Sequence, residues 1–246
     1  MPRNYVILSA QRTGSSWLMD LLNNLDGGEC HGELFLPQPV ETKPVAGSSD
    51  YDRYIERKQQ HVSGIRPFSV FSYLDGLYKR NGIVGFRLMY SQLKKYPEIV
   101  VYLQFKRLKV VHLVRENLLD LVISREVAEK SGRSHDTAHG DKTKDTRVRL
   151  DPGETVSRIK DLENNVRFMD RFLRALRLPS TRITYEQLVD EPDSFSRLVA
   201  FLSLDATGGS PQSNLVKRQR KPHSESIENY DEIENALKAN ALERFL

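Results

Sequence analysis

The opening run Tyr5-Val6-Ile7-Leu8-Ser9, then Ala10-Gln11-Arg12-Thr13-Gly14, then Ser15-Ser16-Trp17-Leu18, sets the narrowest limit on the architecture. Four apolar residues of strand type run into a turn rich in hydroxyls and glycine. From Ser15 to Leu25, Trp17, Leu18, Leu21, Leu22 and Leu25 then fall on one face at helical spacing. A strand that feeds a helix through a five-residue turn is the unit of a parallel sheet, because parallel strands need a crossover between them. The same alternation continues. Strands are predicted at 82–88, 109–114 and 181–184, and a long helix at 153–177 carries Val156, Ile159, Leu162, Val166, Met169, Phe172 and Leu176 every three or four positions. The expectation is a three-layer α/β fold, a central parallel sheet with helices on both faces, formed by one domain over residues 1–246.

Two segments interrupt this order. From Lys130 to Asp151 the chain turns polar and reads as an exposed loop or lid. From Gly208 to Pro222 a Pro- and Gly-punctuated segment carries Lys217, Arg218, Arg220 and Lys221, followed by a helix with Ile227, Tyr230, Ile233 and Leu237 on one face. With 39% hydrophobic and 28% charged residues, global disorder is ruled out. A formal charge of +4 suits an anionic ligand but is too small an excess to indicate nucleic acid. The apolar run at the start is too short to span a membrane and no signal-peptide pattern is legible, so a cytoplasmic setting is expected. Cys30 is the only cysteine, which excludes an intramolecular disulfide and a thiolate zinc site, and it reads as a packed side chain.

The first turn carries the chemistry. A helix N-terminus presents N–H groups and a partial positive charge, and Gly14 lets backbone approach an oxyanion closely. Thr13, Ser15 and Ser16 can add hydroxyl donors, and Arg12 a fixed charge. A plainer alternative is that Ser15 only caps a helix. The turn is not a Walker A loop, since the Gly-x-x-x-x-Gly-Lys-Ser/Thr spacing is absent. The strand at 109–114 runs into Arg115, where a magnesium site would want an aspartate, so a metal-bound triphosphate is disfavoured.

On these residues the chain resembles the PAPS-dependent sulfotransferases, in particular the bacterial and carbohydrate branch with the trehalose and nodulation-factor enzymes. Gln11, Arg12, Thr13, Gly14, Ser15, Ser16 and Trp17 are similar to that family's 5′-phosphosulfate loop. Arg115, with Ser124 nine residues on, resembles its 3′-phosphate segment, and the two side chains would converge on one phosphate. Tyr185 resembles the strand-end tyrosine near adenine, and Lys217-Arg218 the closing nucleotide loop. The resemblance implies a P-loop-like sulfotransferase fold, PAPS as co-substrate and no metal. It also implies a hydroxyl acceptor, probed first among carbohydrates and glycolipids, and no nucleic-acid partner.

Sulfuryl transfer to a hydroxyl needs a base. Cys30-His31-Gly32-Glu33-Leu34-Phe35 follows the first helix and resembles the Gly-Glu-x-Phe segment in which glutamate is the base, which favours Glu33. His31 is the rival, because histidine titrates near neutrality unaided. Arg87 is placed equally well at the site or in a surface ion pair. The remaining histidines show no metal-ligand spacing. Two other readings stay open, a nucleotide kinase of similar topology and a non-catalytic nucleotide-binding protein. Acceptor specificity is expected from 36–78 and 130–151, where no pocket is legible, and oligomeric state is not legible either.

Overall fold

The structure is a computed structural model, and it describes residues 4–36, 51, 54, 66–79, 82–131, 147–204 and 222–246. Five parallel strands form one sheet: β1 (Tyr5–Ser9), β2 (Gly28–Glu33), β3 (Ile83–Met89), β4 (Lys109–Val114) and β5 (Ser180–Thr184), in the order β2-β3-β1-β4-β5. In β1 every residue is buried, as in a strand covered on both faces. Its register places Ile7 beside Arg87 of β3 and Val111 of β4, and Leu8 beside His112.

The period of two along the strands sorts side chains into two cores. Val6, Leu8, Val84, Phe86, Leu88 and Val110 face one way. They pack with α2 (Arg66–Leu77), α3 (Tyr90–Lys95), α4 (Glu98–Lys106) and part of α6 (Pro152–Leu176). Tyr5, Ile7, Val111, Leu113 and Ile183 face the other way, against α1 (Ser15–Asn23), α7 (Tyr185–Asp190) and α8 (Pro192–Leu202). A third cluster joins α5 (Leu118–Ser131), the start of α6 and α10 (Tyr230–Ala239), which follows the short α9 (His223–Ser226). The sheet with helices against both faces is the three-layer arrangement read from the sequence. The ring of Tyr5 on β1 covers its register partner Gly85 on β3, where a Cβ would stand 2.3 Å from that ring.

Predicted boundaries hold to within a residue or two. The strand at 109–114 is as read, and those at 82–88 and 181–184 lie at 83–89 and 180–184. The sequence reading missed β2, placing only a returning segment there. Gly-Glu-Cys-His-Gly-Glu has little β propensity, and as an edge strand its pairing to β3 alone, with a register shift between His31 and Glu33, holds it. Cys30 is packed as expected, and burial pushes its thiol up to about 12. Of the polar segment between Lys130 and Asp151, residues 132–146 lie outside the described residues, as do 205–221.

What the topology does for the site is plain. The chain leaves β1 toward β3 and β2 on one side, and later fills β4 and β5 on the other. The order reverses at β1, and in open parallel sheets the crevice outside the carboxyl ends at such a point takes ligands. The turns after β1, β3, β4 and β5 all open there.

Candidate active site

The loop after β1 is closed from within. Thr13 Oγ1 donates to the Ala10 carbonyl at 3.0 Å, so this hydroxyl shapes the loop. Arg12 and Gly14 both take left-handed conformations, φ 67° and 87°. For arginine that conformation costs roughly 1–2 kcal/mol, which the surroundings must offset. Gly14 is the N-cap of α1, and the helix has no side-chain cap. Ser15 is therefore the first residue of the helix and not its cap, and it is buried. The end of α1 facing the loop keeps the polarity that attracts an anion.

Three groups of side chains meet this loop. In the first, Arg12 Nε donates to Ser124 Oγ on α5 at 3.1 Å. In the second, buried Arg87 of β3 donates through Nη1 to Ser16 Oγ and through Nη2 to Glu33 Oε1 at 2.6 Å, while Gln92 Nε2 donates to Glu33 Oε2 at 3.0 Å. Gln92 is itself fixed, accepting from the Met89 N–H at 3.1 Å where α3 begins. In the third, the Tyr185 ring lies under Gly14, with Trp17 at its edge (centroids 5.8 Å apart) and the Arg115 guanidinium 4.7 Å from its centroid. Tyr185 is held by a capping box at the end of β5: Thr184 Oγ1 accepts from Gln187 N at 3.1 Å, and Gln187 Oε1 accepts from Thr184 N at 3.0 Å.

Arg115 also donates to Asp120 Oδ2 at 2.8 Å, and Asp120 Oδ1 lies 2.9 Å from His223 Nε2. Burial raises the Asp120 carboxyl, but the bond from His223 and the charge of Arg115 outweigh it and hold the group below the usual range. Arg115 Nε lies 3.9 Å from Glu186 Oε1, an ion pair too long for a hydrogen bond, and among the described residues this buried donor has no hydrogen-bond acceptor.

Set against the sequence expectations, Arg12, Gly14, Ser16, Trp17, Tyr185, Arg115 and Ser124 do gather around one turn. The pairing differs: Ser124 is bonded to Arg12, whereas Arg115 is bonded to Asp120. Arg87 is buried at the site and is not a surface ion pair. His31 Nε2 stands 2.9 Å from Glu29 Oε1 on its own strand. Gln11 is exposed. Lys217 and Arg218 lie outside the described residues. Sequence reasoning passed over Gln92, Asp120 and His223, whose single signal is the strand end or helix start on which each sits. Among the described residues no three His, Cys, Asp or Glu side chains cluster as metal ligands, and no helix is long and apolar enough to cross a membrane.

Beside the loop a cavity of about 390 Å³ opens between α3, α5 and α6. Gln11 and Arg12 form one wall, Met89, Tyr90 and Ser91 another, and Leu121, Val122 and Leu162 an apolar floor. Glu33 is not part of its lining. Such a space suits a small molecule with one apolar side.

No protein-family model matches the chain, and no curated protein matches it in sequence. Among solved structures it is similar to mouse sulfotransferase SULT7A1 complexed with PAP, at 13% identity and a TM-score of 0.45, over 83% of this chain and 59% of that one. It is also similar to the sulfotransferase domain from the curacin biosynthetic pathway, at 11% identity and a TM-score of 0.39, over 98% of both chains. The chain thus spans less than two thirds of the mouse protein it aligns with. At these scores and identities no residue role and no activity follows from either.

Proposed function

We propose that the chain is a sulfotransferase that moves a sulfuryl group from PAPS to a hydroxyl of a small acceptor by in-line displacement at sulfur. The observation that carries this reading is the turn after β1: an uncapped helix start at the sheet's switch point, with Arg12 in the loop and Arg87 and Arg115 on either side. A doubly phosphorylated nucleotide needs two anion sites, and the turn and the Arg115–Tyr185 pair supply them. Arg12 and the loop N–H groups stabilise the departing 5′-phosphate oxygen, and Arg115 holds the 3′-phosphate, while Ser124 fixes Arg12. Tyr185 is assigned to the adenine end on the resemblance of its segment to the family's strand-end tyrosine. Carbohydrates or glycolipids are the first acceptors to try, on the resemblance to the bacterial branch. A reducing cytoplasmic setting fits a chain with one buried cysteine.

The test is thermal unfolding with adenosine 3′,5′-bisphosphate against ATP and magnesium. Stabilisation by the bisphosphate alone is expected, because a ligand bound to the native state raises its unfolding midpoint. Stabilisation by magnesium ATP alone sinks the reading in favour of a kinase.

Arg115→Ala weakens bisphosphate binding by about 1.5–3 kcal/mol, the loss of a charge-assisted contact, as read by calorimetry. Unchanged affinity removes Arg115 from the site.

Two groups are placed to take the acceptor's proton. Glu33 is the first, since each carboxylate oxygen accepts one bond and keeps a lone pair. Its second role is to hold Arg87 on Ser16, so Glu33→Ala lowers turnover under either role while bisphosphate binding persists. The roles separate in Glu33→Gln, which keeps an acceptor for Arg87 but is no base. A loss of roughly a hundred- to ten-thousand-fold there would mark Glu33 as the base.

A further inference from the structure

The second group reaches the cavity through Tyr90 alone. His112 sits within β4 and is 1% exposed, on the core face that otherwise holds apolar side chains. Its Nε2 is 2.6 Å from Tyr90 Oη, and its Nδ1 is 2.9 Å from Asp170 Oδ1 on α6. Tyr90 opens α3 directly after β3 and lines the cavity that Arg12 borders. At the far end the Asp170 side chain is 27% exposed, with Oδ2 at 3.6 Å from Arg182 Nε of β5. A line of hydrogen-bonding groups therefore runs from the cavity to the surface through apolar core.

The bonds fix the protons. A carboxylate only accepts, so Nδ1 carries the hydrogen, Nε2 carries the lone pair, and the Tyr90 hydroxyl donates to it. Burial lowers the His112 pKa, although the Asp170 carboxylate opposes this, so the ring is neutral and can accept a proton. Burial, and then the Asp170 charge, raise the Tyr90 phenol. The phenol does not ionise by itself and gives up its proton only as it gains another.

We propose that Tyr90, His112 and Asp170 are the proton acceptor of the transfer, for a hydroxyl bound in the cavity beside Arg12. The acceptor's O–H proton passes to Tyr90 Oη while the phenol proton passes to His112 Nε2. The freed acceptor oxygen bonds to sulfur, and the bond from sulfur to the bridging oxygen breaks with its electron pair left on the 5′-phosphate. The products are the sulfate ester and the bisphosphate. The imidazolium is paired with Asp170, and once the products leave, the Nε2 proton returns to Tyr90 Oη as the phenol gives its newly gained proton to water in the cavity, which restores the resting tautomer. Tyr90 is the catalytic residue of the three, and Asp170 positions the ring. This inference rests on the sulfuryl-transfer reading and leaves Glu33 the role of fixing Arg87.

The test uses the full chain and PAPS, with water, p-nitrophenol and a panel of mono- and disaccharides as acceptors, and reads bisphosphate release. Tyr90→Phe removes one oxygen, and kcat is expected to fall by about a hundred-fold or more, with bisphosphate affinity and the KM for PAPS unchanged. The groups facing the ring are Tyr90 from α3, Asp170 from α6 and Arg182 from β5, with apolar Leu8 from β1. Wild-type kcat therefore drops on the acid side as His112 gains a proton, with a midpoint below the ordinary histidine value of about 6.5, and Tyr90→Phe lacks that limb. Asp170→Asn moves the midpoint lower and reduces kcat, because the charge that favours the imidazolium is gone; it decides the matter if Tyr90→Phe does not fold. Turnover of Tyr90→Phe within about threefold of wild type, or an acid limb unmoved by Asp170→Asn, overturns the relay. A wild type that binds no bisphosphate, or releases none from PAPS with any of these acceptors, overturns instead the sulfuryl-transfer reading beneath it.

Discussion

Arg12→Ala is expected to lower single-turnover sulfuryl transfer from PAPS by about 10²–10³-fold, the usual loss when one preorganised donor to a developing oxyanion is removed. Three features make the effect large. The side chain leaves the middle of the proposed phosphate loop, and its backbone is held in a left-handed conformation that aims it. Its Nε is bonded to Ser124, which removes rotamer freedom before the donor arrives. It also borders the cavity in which the acceptor is proposed to sit, so charge developing between the two substrates lies within its reach. Arg12→Lys restores the charge but not the fork of N–H donors, and recovers only part of the rate. Bisphosphate affinity should change much less than turnover in both variants. If turnover in Arg12→Ala stays near wild type, the loop does not face the transferred group.

Gly14→Ala is expected to be the most damaging single methyl group in the site. A Cβ at this position would stand 2.4 Å from Tyr185 Cδ2 and 2.8 Å from Cε2, within a ring that the Thr184 and Gln187 capping box holds in place. The left-handed φ of 87° adds a cost for any L-side chain. Together the backbone term of about 1–2 kcal/mol and an overpacking term of about 1–3 kcal/mol predict a loss of about 2–5 kcal/mol in stability. Denaturant unfolding reads the stability. Calorimetry with adenosine 3′,5′-bisphosphate reads the second consequence, weaker binding as Tyr185 is pushed off Arg115. A variant that keeps both wild-type values would mean that the loop does not pack on Tyr185 as described.

Much of the sheet was legible because its central strands carry their own signal. Tyr5 to Ser9 and Lys109 to Val114 are apolar runs flanked by turn residues, and burial on both faces demands that composition. β2 was not legible, since an edge strand need not be apolar and its two glycines speak for a turn. The turn between β1 and α1 could be read as a strand-to-helix turn from contiguous residues, for which spacing along the chain stands in for geometry. The network beyond it could not. Arg87 and Glu33 are bonded across 54 positions, Arg12 and Ser124 across 112, and His223 and Asp120 across 103. No local pattern specifies such pairs; the strand order does. His112 shows the same limit in another form. A lone histidine in a strand reads as a packed residue, and only the arrival of α3 and α6 over that face gives it Tyr90 and Asp170 as neighbours.

Each arginine around the turn meets a ligand with a contact already made: Arg12 with a serine, Arg87 with a glutamate, Arg115 with an aspartate. An incoming anion must displace or share these contacts, and a small ion with one charge centre gains little from doing so. Only a molecule whose charged groups span the distance between β1 and β4 can exchange several internal partners in one event. If the turn is the proposed nucleotide site, selection against inorganic phosphate and sulfate follows from interactions that a ligand must replace together.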